Sequence, residues 1–172
     1  PTHQTFDVSS VRLFTSGSAP LAGKTHRAFE ERFGHRILER YGMTEIGIVI
    51  SNPLDGDRRP GSVGLPLPKV QARIADLSSG ELIGDGQVGE VQIRGPSVFG
   101  GYLNRQAASA ETLVDGWMKT GDIGYRDQDG YYYLVGRKHD TIITGGMNVY
   151  PAEVAAALYE HEQVLEAAVF GV

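Results

Sequence analysis

The sequence predicts an α/β fold followed by a β-rich subdomain, with a small α+β unit opening near the C-terminal end. Three observations carry this. Residues 11–41 read strand, helix, strand with short connections, which implies a parallel pair. Two short alternating stretches, 70–74 and 88–94, flank a glycine-rich segment at 80–89, the pattern of hairpin-like antiparallel structure. After Gly136-Arg137 the style changes to a compact glycine-ended segment, a proline-opened helix and an apolar run. The expected divisions are 1–60 for the α/β portion, 61–137 for the β-rich subdomain and 138–172 for the start of a small unit.

Taken in order, residues 1–10 show no period, and 11–15 form a buried strand that runs into Ser16-Gly17-Ser18-Ala19-Pro20, a tight loop of small residues. Pro20 suits the first turn of a helix, Ala28, Phe29 and Phe33 share one face, and Gly34 is its stop. Residues 36–41 make the second strand through Ile37 and Leu38. Both connecting loops then follow strand carboxyl ends and face one crevice, where ligands of α/β sheets bind. Residues 45–50 are apolar and read as the start of a helix. Proline, glycine, aspartate and arginine punctuate 51–68. A short exposed helix is expected at 105–112, and 116–122 leads to an aromatic strand at 131–135. Pro151 opens a helix carrying Val154, Ala155 and Leu158, and 164–172 reads as a strand apolar on both faces. Such a strand needs partners from outside this sequence, so the 172 residues are expected to be an excerpt of a longer chain.

Composition removes several functions. A 41% hydrophobic content supports a packed core, and a net charge of −5 with interspersed signs argues against a nucleic-acid surface. With no cysteine, disulfides, thiolate metal sites and a cysteine nucleophile are excluded within the chain. No apolar run reaches the roughly 18 residues that span a bilayer. His3, His26, His35, His139 and His161 have no mutual ligand spacing and read as surface residues, against a zinc site. A nucleophile elbow needs glycine two residues either side of its serine; Ser16 has Phe14 and Ser18 there, and Ser18 has Ser16 and Pro20.

The chemistry concentrates in Tyr41-Gly42-Met43-Thr44-Glu45, which sets an aromatic face, a flexible joint, a hydroxyl and a carboxylate in five residues. That set suits an adenine nucleotide with magnesium: Tyr41 for the base, Gly42 for close backbone approach, Thr44 for a phosphate oxygen and Glu45 as a hard oxygen ligand. The competing reading is a polar turn whose Thr44 and Glu45 cap a helix. Asp122 is either a turn aspartate or a ribose carboxylate, and Arg137 either a surface ion-pair partner or a clamp on ribose or phosphate.

The set formed by Ser16-Gly17-Ser18-Ala19-Pro20, Tyr41 to Glu45, Thr120-Gly121-Asp122, Gly136-Arg137 and Gly145-Gly146, in this order and spacing, resembles the adenylate-forming acyl-CoA synthetase superfamily, most closely its malonyl-CoA synthetases. The resemblance covers nearly the whole chain. It implies the end of a large AMP-binding domain (1–137) joined by a hinge to a small C-terminal domain. It implies that Gly17, Ser18 and Ala19 line the adenine pocket with Tyr41, that Gly42 and Met43 belong to the same ATP/AMP site, that Thr44 contacts the α-phosphate and that Glu45 holds magnesium. Asp122 would bind the ribose hydroxyls, Arg137 the ribose or phosphate, and Gly145 and Gly146 would border the coenzyme A tunnel. The implied substrates and cofactors are ATP, Mg2+, coenzyme A and a small carboxylic acid, in the cytoplasm or, in a eukaryote, the mitochondrial matrix.

The implied hinge lies at Lys138, His139 and Asp140, where His139 stands in place of the family's usual lysine or aspartate. The family's phosphate-gripping loop would precede residue 1 and its adenylation lysine would follow Val172, so the excerpt alone is expected not to perform the first step. A malonate site must read a second carboxylate, and one charge-assisted hydrogen bond of roughly 1.5–3 kcal/mol discriminates malonate from acetate by tens- to hundredfold. Arg40 and Arg58 are the candidates, with buttressing of the Tyr41 turn and a solvated loop charge as their alternatives. Rival functions are a fatty or aryl acid ligase, a domain loading a carrier protein, and a non-catalytic nucleotide-binding module.

Overall fold

The computed structural model describes residues 6–171. Expectations for residues 1–5, His3 among them, and for Val172 lie outside the described residues. The first sheet has the order β1-β2-β3-β4, built from β1 (Thr15–Ser16), β2 (Leu38–Met43), β3 (Gly47–Ser51) and β4 (Leu65–Pro66). Helix α1 (Gly23–Phe33) connects β1 to β2, and these two strands are parallel as expected. Strand β1 is shorter than the predicted 11–15, pairing only Thr15 with Leu38 and Ser16 with Glu39. It lies at the sheet's end, where one neighbour supplies all its ladder bonds.

Helix α1 starts three residues after Pro20, with Ala22 as N-cap, and stops at Gly34, whose φ of 69° is the left-handed conformation that glycine adopts without strain. Phe29 packs edge-on against Phe14 and beside Phe33, at centroid distances of 4.9 and 4.8 Å. His26 overturns the surface reading of the histidines: it is 1% exposed, and its Nε2 donates to the Ile37 carbonyl at 3.1 Å, tying the helix to β2.

Residues 45–50 also depart from expectation, forming a strand instead of a helix. The run is short, Ile48, Val49 and Ile50 are β-branched, and Gly47 turns the chain at φ 64°. The result is a hairpin in which Ile46 N–H closes on the Met43 carbonyl at 3.1 Å. Gly42 permits a close approach here, but to its own partner strand: a Cβ on Gly42 would stand 2.1 Å from the Gly47 carbonyl oxygen, at the bulge where the β2–β3 register shifts.

The second sheet is antiparallel, with the order β5-β6-β8-β7 and β9 added to β8. Its strands are β5 (Gln71–Ala75), β6 (Gly89–Arg94), β7 (Leu113–Val114), β8 (Trp117–Arg126) and β9 (Tyr132–Arg137), with α2 (Gln106–Thr112) before β7. Strand β8 absorbs most of the segment read as a lead-in, so Asp122 is a mid-strand residue and not a turn aspartate. Gly121, at φ 72°, disguised this continuity.

One core joins the two sheets: Tyr41, Ile46, Val49 and Ile50 from the first meet Ile74, Val91, Ile93, Met118 and Tyr132 from the second. The seam is stitched by Val63 N–H to the Tyr132 carbonyl at 3.0 Å and Tyr132 N–H to the Gly64 carbonyl at 2.8 Å. Arg59 fastens the irregular segment between β3 and β4 to the β8–β9 turn, meeting Asp57, Asp127 and Asp129 at 2.8–2.9 Å and lying 4.0 Å over the Tyr131 ring.

Beyond β9, a 3-10 turn (Lys138–Asp140) leads into the hairpin β10 (Ile142–Thr144) and β11 (Met147–Val149), then α3 (Pro151–Tyr159), which Pro151 opens as predicted. The strand expected at 164–172 is not formed among the described residues. Leu165 and Phe170 are 90% and 76% exposed, since nothing among the described residues offers that segment a ladder. Among the described residues no helix is long and apolar enough to cross a membrane.

Candidate functional site

A cavity of about 330 Å³ opens where the first sheet's strand ends meet β9 and the C-terminal segment. Parallel pairing of β1 with β2 places the 16–20 loop beside Arg40 to Met43, as the crevice argument required. Gly17 is needed for this contact, because a Cβ there would lie 3.1 Å from the Arg40 carbonyl oxygen. Ser18 holds φ at 69°, an uncommon conformation for a residue with a side chain, on the cavity wall.

The opposite wall is Asp122 with Arg137. Register sets them across from one another in the β8–β9 ladder, and Arg137 Nε lies 3.2 Å from Asp122 Oδ1. Tyr41 reaches the same carboxylate from the other sheet, its hydroxyl donating to Oδ2 at 2.6 Å. Asp122 is thus 7% exposed yet polar-satisfied on both oxygens. Burial, and after it the Asp122 charge, push the Tyr41 phenol far above its usual range, so it remains a proton donor. A carboxylate has about four acceptor positions, and two stay free for ligand hydroxyls.

The cavity also has walls that sequence reasoning missed. Glu39, Gly61, Val63, Leu134, Asp140 and Ala152 line it. Glu39 was within reach of a pattern argument, since it sits two residues before Tyr41 and strand side chains two apart share a face. Its Oε1 accepts the Gly61 N–H at 3.1 Å, and burial pushes its carboxyl up to about 7 despite that bond. Asp140, singled out only as a hinge residue, and Ala152, which no local signal marks, are brought to the cavity by tertiary folding.

The remaining predicted residues fall into three groups. Arg40 lines the cavity and forms no ion pair among the described residues. Arg58 does not line it: the guanidinium donates to the carbonyls of Pro53, Arg36 and Leu54 at 3.2, 2.7 and 2.6 Å, which makes it a loop clamp. Thr44 and Glu45 follow the cavity-lining stretch of β2 in the hairpin turn, where Thr44 is exposed and Glu45 Oε1 accepts the Tyr102 hydroxyl at 3.0 Å. Gly145 and Gly146 form the exposed β10–β11 turn at φ 57° and 79°. Lys138 lies 3.9 Å from Glu90, and His139 pairs with Asp140 at 3.1 Å.

The donor set suits a purine ribonucleotide: small-residue backbone, an aromatic, a buried carboxylate for hydroxyls and a cation. Among the described residues no cluster of three or more histidine or acidic side chains exists to cage a metal. Glu45 as a single carboxylate fits magnesium, which commonly takes one or two carboxylates together with substrate phosphates.

Comparison with known proteins agrees with this donor set. The AMP-binding enzyme family matches residues 1–103. A long-chain-fatty-acid–CoA ligase of Bacillus subtilis is 43% identical over 173 aligned residues, covering 100% of this chain and 31% of that protein. A sulfoacetate–CoA ligase of Cupriavidus necator is 47% identical, covering 95% and 32%. The ATP-bound crystal structure of MatB from Rhodopseudomonas palustris aligns with a TM-score of 0.91 at 46% identity over 94% of this chain and 32% of that one, and the apo form aligns at 0.79. The chain therefore spans about a third of the length of these relatives. The matched residues include both the 16–20 loop and the Tyr41 to Glu45 turn, and on this ground the chain belongs to the AMP-binding enzyme family.

Proposed function

We propose that this chain is the nucleotide-binding portion of an acid–CoA ligase, which activates a carboxylic acid as its acyl-adenylate and passes the acyl group to coenzyme A. The observation that carries the reading is the meeting of the 16–20 loop, Tyr41, Asp122 and Arg137 around one cavity. In the first half-reaction an acid carboxylate oxygen bonds to the α-phosphorus of ATP and the bond to pyrophosphate breaks. In the second, the thiol of coenzyme A bonds to the acyl carbon, its proton leaves, and AMP departs.

Attack of one anion on another needs orientation and charge neutralisation more than a protein nucleophile. Gly17 to Ala19 and Tyr41 hold the base, Asp122 accepts from the ribose hydroxyls, and Arg137 offsets charge at the ribose or phosphate. Tyr41 also orients Asp122 through the 2.6 Å bond. Thr44 donates to the α-phosphate, and Glu45 would hold magnesium, which would supply electrostatic stabilisation at the phosphates.

The acid, in this reading, is short and carries a second anionic group, with malonate or methylmalonate first. The resemblance of this chain's motifs to the malonyl-CoA synthetases supports this, as does likeness to a ligase for sulfoacetate, whose sulfonate occupies the place of a second carboxylate. Arg40, in the cavity and without an ion-pair partner among the described residues, is the side chain assigned to that second anion. A longer-chain acid is the competing substrate, on the 43% identity to a fatty-acid ligase.

The test is AMP formation by the full-length protein with ATP, magnesium and coenzyme A, offering malonate, methylmalonate, sulfoacetate, acetate and a medium-chain fatty acid. Preference for a dianionic acid with AMP release dependent on coenzyme A supports the proposal. Preference for the fatty acid removes the Arg40 assignment, and silence with every acid removes the ligase reading.

A further inference from the structure

We propose that Tyr102 is a positioning residue for Glu45, fixing the carboxylate from which the cation of the nucleotide complex is held. The inference rests on the reading of Glu45 as the magnesium ligand and adds a residue from outside the cavity and outside every motif singled out above. The Tyr102 hydroxyl donates to Glu45 Oε1 at 3.0 Å, across 57 residues of chain. The same segment grips Glu45 a second time, through Phe99 N–H to the Glu45 carbonyl at 2.8 Å. Side chain and main chain of one residue are therefore both pinned by residues 99–102.

Tyr102 is itself held at three points. Its backbone N–H donates to Ser109 Oγ at 2.8 Å, its carbonyl accepts the Arg105 N–H at 3.2 Å, and its ring meets Phe99 edge-on at 4.8 Å. Gly101, at φ 131°, allows Ser109 to come this near, since a Cβ there would lie 2.9 Å from Ser109 Oγ. The line of support runs from α2 through Ser109 to Tyr102 and on to Glu45. One carboxylate oxygen is thereby committed to the phenol, while the other carries no bond to a side chain among the described residues. Ligating carboxylates are commonly oriented in this way by hydrogen bonds from neighbours, and loss of such a partner costs roughly 10- to 100-fold in metal affinity.

The test compares wild-type full-length protein with Tyr102→Phe, Glu45→Gln and the double variant. Mn2+ affinity is measured by electron paramagnetic resonance in the presence of a non-hydrolysable ATP analogue, alongside the half-saturating Mg2+ concentration for acid-dependent pyrophosphate exchange. Tyr102→Phe keeps the ring contact with Phe99 and is expected to weaken Mn2+ binding about tenfold. Excess Mg2+ should restore its exchange rate. Added to Glu45→Gln, it should cause no further loss, because the phenol then has no ligand to position. Full Mn2+ affinity in Tyr102→Phe with affinity lost in Glu45→Gln would overturn the role of Tyr102 and leave the cation reading standing. Full affinity in Glu45→Gln would overturn the cation reading and this inference with it.

Discussion

Asp122→Asn is the substitution whose consequences follow most directly from the cavity. The carboxylate accepts the Tyr41 hydroxyl at 2.6 Å on one oxygen and faces Arg137 at 3.2 Å on the other. An amide has one acceptor oxygen, so whichever way it turns, its NH2 confronts either the phenol or the guanidinium. A hydrogen bond to a charged group contributes about 1.5–3 kcal/mol against about 1 for a neutral one, which puts the folding cost near 1–2 kcal/mol. For a nucleotide, bonds from two ribose hydroxyls are weakened or lost together, about 2–4 kcal/mol, equivalent to about 30- to 700-fold in affinity. The assay is calorimetric titration of the full-length protein with AMP, 2′-deoxy-AMP and 3′-deoxy-AMP, with melting temperatures recorded in parallel. Wild type should lose affinity as each hydroxyl is removed, and Asp122→Asn should discriminate far less. AMP binding by the variant within about threefold of wild type would refute the ribose assignment and leave Asp122 as a purely structural link between the sheets.

Gly42→Ala sets a methyl against Gly47 and Ile48 backbone at 2.1–2.8 Å, where no side chain can swing aside; a loss of at least about 3 kcal/mol in urea unfolding is expected, and wild-type stability would contradict the bulge. Burial raises the folded Glu39 carboxyl pKa to about 7 from its ordinary 4.5, so the folded state binds the extra proton between these values and stability falls as pH rises through that window. Glu39→Gln, which keeps an acceptor for Gly61 N–H, should therefore flatten the pH dependence and gain about 1–2 kcal/mol at pH 8, after allowing for solvent in the cavity; an unchanged slope from pH 5 to 8 would show that Glu39 is not its source. Arg58→Ala should lower stability by about 2 kcal/mol and leave the KM for the acid unchanged, because its three bonds go to backbone carbonyls. Arg40→Ala should do the reverse, raising KM for malonate at least tenfold with acetate little affected; equal effects on both acids would remove it from the anion site.

What the sequence made legible, and what it hid, divides along the range over which each signal acts. Gly34, Pro151 and the short connections between β1, α1 and β2 act within a few residues, and helix stop, helix start and parallel pairing all came out as read. The hairpin at 43–47 was misread because its short apolar run fits two periods, and the deciding constraint, the meeting of Gly42 with Gly47, exists only once the strands pair. The cavity residues behaved in the same way. Gly17 and Tyr41 stood out because their neighbours form motifs, whereas Asp140 and Ala152 reach the wall only through a turn and a helix that follow β9. Arg40, beside the Tyr41 turn, and Arg58, in the 51–68 loop, are indistinguishable by composition, and the fold separates them by place: Arg40 lines the cavity, while three backbone carbonyls hold the Arg58 guanidinium. The same reasoning explains why Asp122 could be read as a turn residue beside Gly121, although the fold makes it a rigid mid-strand group. A mid-strand carboxylate gripped by Tyr41 from one sheet and Arg137 from the next strand cannot adjust to a ligand. In the proposed ribose-binding role it would accept only ligands whose hydroxyls meet it where it already stands.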